Sequence, residues 1–291
     1  MQTLTEKRVF GAKTGVTDVF VATDAGVAAV TVSADQIGAF GLATQASATA
    51  IAATADRLVV GTAEGLLAAD IDAASRTADV SDPAFDSIGD DAIDAVAAVD
   101  IGPEGILVAD ADGVVFRGEQ TDLAGEPPSW ERFGAIGTVH DIDAGLLAAD
   151  DGVSRIDDGG LTNTGLNDVR AVTGVGQPLA ATDDGLFRLG NGWQSVADGA
   201  FRAVAADGHG HAHAVGDAGL LVRSADDGAW TTTTPPVEGP IVDLAADRGI
   251  VVGITDDGTL CVTAGDGWRH QRLGLPGARS VAIGGGTDGE L

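Results

Sequence analysis

The chain predicts an all-β fold, a seven-bladed β-propeller of four-stranded antiparallel blades. Three observations lead there. A short apolar strand runs seven times into a tight acidic turn that ends on glycine, at Gly26, Gly65, Gly113, Gly152, Gly185, Gly219 and Gly258. These glycines recur every 33 to 48 residues along a chain of 291, which is the spacing of a repeat array. No stretch sustains a helical period and no Ser- or Pro-rich linker divides the chain, so residues 1–291 read as a single propeller domain. Six or eight blades are the alternatives that strand counting leaves open.

Within a repeat, the first strand is marked by one apolar anchor, at Ile51, Val96, Ile142, Val172, Val204, Leu244 and Val281. The second strand ends at the acidic turn. Six residues before the turn glycine it carries Phe20, Val59, Leu107, Leu146, Leu179, His213 or Val252, and four before it Ala22, Gly61, Ala109, Ala148, Ala181, Val215 or Ile254. The column between them is apolar as well, so both faces of this strand are covered. Asp-Gly chemistry supplies the positive φ that a tight hairpin requires, and a third strand follows. All four tryptophans, Trp130, Trp193, Trp230 and Trp268, open a fourth segment. Four strands per unit, repeated side by side, make propeller blades with the first strand innermost.

Ring closure follows from an extra inner strand. Residues 279–284 (RSVAIG) repeat the inner-strand pattern with no hairpin after them. An unpaired edge there would invite aggregation, so the segment is expected to complete the first blade, whose hairpin lies at residues 18–32. The ring is then latched by strands from both chain ends, with residues 8–12 as a rival for that place. The long acidic connection from Asp79 to Asp94 reads as a solvated loop.

Composition narrows the function classes. The 44 acidic residues against 16 Lys and Arg give a net charge of -28. Phosphate-rich nucleic acid and anionic membranes need clustered cations, so neither is an expected partner. The acidity is scattered over every repeat instead of gathered in a tail, which favours adaptation to high salt over an acidic effector. Cys261 is the single cysteine; it can form no internal disulfide and reads as a small buried hydrophobe. The first residues lack a signal peptide's apolar run, and no segment has the length and apolarity of a membrane span, so a cytoplasmic monomer is expected.

The segment SADDGAW, Ser224 to Trp230, resembles an Asp-box hairpin one residue short before its tryptophan, and GNGW and GDGW are similar to eroded copies. Repeats of the TDDGLFRL type resemble the sensor propellers of two-component regulators and photosystem-assembly propellers. With its acidity, nearly the whole chain resembles propeller proteins of halophilic archaea. The resemblance implies a fold, with Asp-boxes stabilising hairpins at the blade periphery. Sialidases share Asp-boxes, but a chain without tyrosine cannot supply their nucleophile.

Chemistry-bearing residues break the pattern in few places. Two residues before the anchor of each inner strand stand Thr49, Asp94, His140, Arg170, Arg202, Val242 and Arg279. Inner strands line the channel, so Arg170, Arg202 and Arg279, with His140, Asp94, Asp141 and Asp243, are expected at its mouth, where bidentate arginines could hold a carboxylate or phosphate. The competing reading has these arginines paired across blades with Asp94, Asp141, Asp168 and Asp243. A second arginine column, Arg117, Arg155, Arg188 and Arg223, reads as ordinary surface pairing on the third strand. His209, His211 and His213 alternate as metal ligands can, but a packed histidine at 213 suits its apolar column better, and no metal or other cofactor is expected. The Asp-rich turns lack a calcium loop's length and closing Glu. No nucleophile elbow, phosphate loop, zinc-protease motif or Cys pair is present. The chain therefore reads as a non-catalytic scaffold that binds a protein partner or a small anion at the channel mouth in a high-salt cytoplasm. A propeller hydrolase or lyase, metal-assisted through the histidines or built on Asp94, His140 and Asp141 and acting on an anionic sugar or lactone, is the alternative.

Overall fold

The computed structural model describes residues 16–71, 85–119, 128–157, 160–265 and 267–284, and among them every regular element is a strand. Seven four-stranded antiparallel sheets form the blades. Their inner strands are Ala48–Ala53, Val96–Gly102, Val139–Asp143, Val169–Thr173, Phe201–Ala206, Ile241–Asp247 and Ser280–Gly284. The fold class read from the turn spacing is the one observed.

The C-terminal inner strand joins the first blade by pairing antiparallel with Val16–Thr23, from Asp18 opposite Gly284 to Ala22 opposite Ser280. The first blade is therefore closed by both ends of the chain, as the unpaired-edge argument requires. The rival segment at residues 8–12 lies outside the described residues.

Hydrophobic packing is organised between blades. Each of the seven buried apolar clusters joins residues of two adjacent blades, including the junction of the seventh with the first, where Val252, Ile254 and Leu260 meet Val19, Val21 and Val281. Second strands sit in the middle of this packing, and Arg57–Thr62, Leu146–Ala149, Leu179–Thr182 and Ala212–Gly216 are buried along their whole length. Small residues let the sheets approach: a Cβ at Gly61 would come within 2.5 Å of Val96 Cγ1 in the next blade. The tryptophans reach back to the preceding blade. Trp130 Nε1 donates to Ile88 O at 2.9 Å, and Trp193 Nε1 to Thr164 Oγ1 at 3.4 Å.

The acidic turns close each blade by side-chain capping. Thr23, Thr62 and Thr182 donate their hydroxyls to the turn glycine carbonyl and accept a turn N–H. Asp110 does the same work by accepting from Asp112 N and Val114 N. Gly26 shows why glycine ends the turn: its φ is +130°, and a Cβ there would lie 2.0 Å from Thr44 O.

Two expectations need correction. The connection before residue 94 is not loop throughout, since Asp86–Ser87 pairs with Leu67 and Ala68 as the outer strand of the second blade, and Ile88 and Ile93 are buried between blades. The inner-strand register of the third blade also shifts by three residues. Val99, not Val96, is opposite Val108 as Ile142 is opposite Leu147. Both valines suit an apolar anchor, but only Val99 falls within the 10 to 15 residues that separate anchor from turn glycine in the other repeats.

Candidate functional site

The second strand returns the chain to the side where the inner strand starts, so the acidic turns and the inner-strand starts share one face. There the seven inner strands surround a central cavity of about 480 Å³. A β-bulge falls at the position before the inner-strand core in six blades, where Thr49, Ala97, His140, Arg170, Arg202 and Val242 stand. Arg279 takes the same place immediately before the C-terminal strand, its N–H donating to Ala22 O. Asp94 does not belong to this set. It is exposed, precedes the strand, and leaves its place to Ala97 on the cavity wall. The trio of Asp94, His140 and Asp141 is thereby broken.

Four basic side chains form a collar at the mouth, and each is held by an aspartate from the acidic turn of its own blade. Arg170 grips Asp183 with two contacts, Nε to Oδ1 at 3.0 Å and Nη2 to Oδ2 at 2.5 Å. Arg202 Nη2 donates to Asp217 Oδ1 at 2.5 Å, and Arg279 Nη2 to Asp24 Oδ1 at 2.6 Å. His140 Nε2 lies 2.7 Å from Asp150 Oδ1, with Arg170 Nη1 3.2 Å from the same ring nitrogen and 3.5 Å from that carboxylate oxygen. His140 holds the Asp150 carboxyl below its ordinary value, and Arg170 does so for Asp183. In place of the expected pairs with Asp94, Asp141, Asp168 and Asp243, each collar arginine pairs with the turn aspartate of its own blade, because the turn brings its acid back beside the inner-strand start, and Arg170 alone also reaches across to Asp150 of the fourth blade.

Beneath the collar the channel turns acidic. Asp141 and Asp243 stand one residue further along the inner strands of the fourth and seventh blades; Asp143 and Asp100 lie deeper, on the fourth and third. These carboxylates tie the third blade to the fourth, the fourth to the fifth and the seventh to the first. Asp100 Oδ2 accepts from Ala144 N at 3.0 Å, Asp141 Oδ2 from Val172 N at 2.9 Å, Asp143 Oδ2 from Gly174 N at 2.8 Å and Asp243 Oδ2 from Val281 N at 2.8 Å. Burial pushes Asp243 up to about 6. Burial, and then the charge of Asp143, pushes Asp100 up to about 6. Asp141 is raised well above the carboxylate range by burial first and the Asp243 charge second. Asp100 and Asp143 were missed as channel residues. They stand in a column otherwise filled by Ala and Thr, a signal that the misplaced register of the third blade conceals.

The other singled-out residues serve the fold. Only His213 of the three histidines lies in a strand; it is 8% exposed, packs edge-on against Trp268 with ring centroids 6.0 Å apart, and burial pushes its pKa down to about 4. His209 and His211 lie on the turn before it and cap Asp207. Burial opposes ionisation of Asp207, but these donors hold it below the ordinary carboxylate value. No cluster of three His, Cys, Asp or Glu with metal-binding geometry occurs among the described residues. The second arginine column lies on third strands as read. Arg117 stacks over Phe133 at 4.6 Å, Arg155 meets Asp157 at 3.9 Å, Arg188 donates to Gln194 and Arg223 to the Gly210 carbonyl. In the Asp-box-like segment, Asp227 accepts from Ala229 N at 3.0 Å and Gly228 N donates to Ser224 O at 3.0 Å, closing the hairpin before Trp230.

Residues 3–284 match the HVO_0234-like β-propeller family over nearly the whole chain. The chain belongs to that family. Its name is that of a halophilic archaeal protein, in keeping with the resemblance read from acidity and repeat grammar. A chain in the crystal structure of a nidogen/laminin complex, 7% identical, superposes with a TM-score of 0.56, covering 92% of this chain and 98% of that one. At that identity the likeness concerns fold alone. No curated protein matched. Among the described residues no helix is long and apolar enough to cross a membrane.

Proposed function

We propose that this member of the HVO_0234-like family is a non-catalytic propeller that receives a protein partner on the face where its inner strands begin. The chain works as one domain and as a monomer in a high-salt cytoplasm. The observation that carries this reading is the collar of His140, Arg170, Arg202 and Arg279 around the channel mouth. Arg202, Arg279 and His140 are each held by one turn aspartate and Arg170 by two, while all four remain open to the face. Side chains held in advance lose less entropy when a partner docks. The collar aspartates have one consequence for a small anion: they stand beside every guanidinium it would use and take the bidentate site of Arg170, so a partner offering donors as well as acceptors suits the rim better. The test is a pull-down in multimolar KCl comparing wild type with Arg170→Ala/Arg202→Ala/Arg279→Ala. The expected result is a partner captured by wild type and lost by the folded triple variant; an unchanged set of captured proteins with unchanged stability would remove the site.

A further inference from the structure

The outer strand of the first blade, Gln36–Thr44, is unlike its six counterparts. It has nine residues and is the longest of the described outer strands. It opens a stretch, residues 36–55, without a single charged side chain in a chain of net charge -28. Exposed strand edges are ordinarily blunted by shortness, by charge or by a covering segment. The outer strand of the second blade, Asp86–Ser87, is short, and those of the third, fifth and seventh carry Glu131, Arg132, Asp198, Arg269 and Arg272. Gln36–Thr44 offers Ile37, Phe40 and Leu42 instead. Phe40 is 39% and Leu42 36% exposed, two of the three exposed large hydrophobics among the described residues. Bulges shift the register on either side, so Phe40–Leu42 is the regular part of this edge, and among the described residues no strand pairs with its outer side.

The chain carries a segment that fits this edge. Residues 1–15 lie outside the described residues and lead into Val16. Val16 is opposite Ser33 and Ser33 is opposite Gln36, so the segment joins the blade at the end where Gln36–Thr44 begins. The place beyond Gln36 is three strand spacings from Val16, about 14 Å, and residues 11–16 when extended span about 16 Å. A segment lying there and crossing to Val16 runs antiparallel to Gln36–Thr44. The inner place of the same blade, for which residues 8–12 were the rival, is filled by Ser280–Gly284. Thr3, Thr5, Val9 and Phe10 favour an extended strand, and no proline interrupts residues 1–15. The segment holds both lysines of the chain, and Lys7, Arg8 and Lys13 against Glu6 alone make it basic, so the acidic body attracts it. The match to the family begins at residue 3, which includes the segment in the shared domain. A second copy of the chain competes for the same edge, but a segment tethered at Val16 acts at an effective concentration of about millimolar.

We propose that residues 4–12 dock on the first blade as a fifth, antiparallel strand outside Gln36–Thr44, covering Phe40 and Leu42. The blade is then completed from both chain ends, the C-terminal strand inside and the N-terminal one outside, and its apolar edge is closed to a second copy. This docking is independent of the binding face at the channel mouth. Amide hydrogen exchange on the full chain in molar KCl, with light scattering for its mass, tests it. The expected result is a monomer in which residues 4–12 and Phe40–Leu42 both exchange at least tenfold more slowly than an unstructured peptide. Two full-length variants probe the pairing from either side. Val9→Asp/Phe10→Asp is expected to speed exchange at Phe40–Leu42 at least tenfold, and Phe40→Asp/Leu42→Asp to do the same at residues 4–12. Retained protection of the inner strand Val169–Thr173 shows that each variant keeps its ring. Free exchange of residues 4–12 in wild type would overturn the proposal whatever the variants do. So would a variant that leaves the other stretch unchanged, or a dimer in which Phe40–Leu42 is protected while residues 4–12 exchange freely.

Discussion

Replacing Asp243 by asparagine changes the stability of the ring with a sign that depends on pH. Its carboxyl titrates near 6 in the fold, against 3.8 for an unburied one. The folded state therefore keeps a proton that the unfolded chain releases between pH 4 and 6. That contribution is fully present below pH 4 and is lost as pH rises through 6. Two pKa units correspond to about 3 kcal/mol, an upper bound because water in the lumen screens part of the charge. Asparagine removes the charge but offers one carbonyl oxygen where aspartate used two, for Leu244 N and Val281 N; leaving one N–H to lumen water costs about 1 kcal/mol. Asp243→Asn is thus expected to be more stable than wild type by about 2 kcal/mol at pH 7.5 and less stable by about 1 kcal/mol at pH 4. Urea unfolding at both pH values, in molar KCl to screen the surface charge, measures the difference. An equal ΔΔG at the two pH values would refute the account of the buried carboxylates.

Three further outcomes follow from the same structure. With a net charge of -28, the protein is expected to fold cooperatively in molar KCl and to lose its strand signal by circular dichroism in dilute buffer, through unscreened repulsion; full stability at low salt would instead favour an acidic effector. Truncation before Arg279 removes the inner strand of the first blade and uncovers Val19 and Val21, which pack with Val281; burial of Val281 alone is worth about 1.5–3 kcal/mol, so the truncated chain is expected to aggregate or unfold by size-exclusion chromatography. Cys261 is buried and burial pushes its thiol up to about 12, so it is expected to react with a disulfide reagent only after denaturation, by absorbance against time.

The fold was legible because turn chemistry repeats where core chemistry varies. Gly26 and its counterparts are required by backbone conformation, so they persist through changes in neighbouring side chains and serve as a ruler for all seven blades. The C-terminal latch was legible for a similar reason: the strand at Ser280–Gly284 carries an inner-strand pattern that has no partner in sequence order. The third blade was misaligned because Val96 and Val99 are equally good apolar residues, and periodicity cannot choose between them; only the distance to Gly113 does. That slip placed Asp94 at the mouth and hid Asp100 in the channel. The collar arginines were found, but their partners were not. The expected partners were Asp94, Asp141, Asp168 and Asp243 of adjacent blades, while the hairpin returns Asp183 and Asp217 to the inner-strand start from thirteen and fifteen residues away. The strand of Asp86–Ser87 was too short to announce itself by alternation.

Hydrogen–deuterium exchange on the propeller with its captured partner tests the binding face most directly. Added protection is expected at the inner-strand starts, residues 139–143, 169–173, 201–206 and 279–284, and at the acidic turns beside them. Protection confined to the outer strands or the opposite rim, with the channel mouth exchanging as in the free protein, would contradict it.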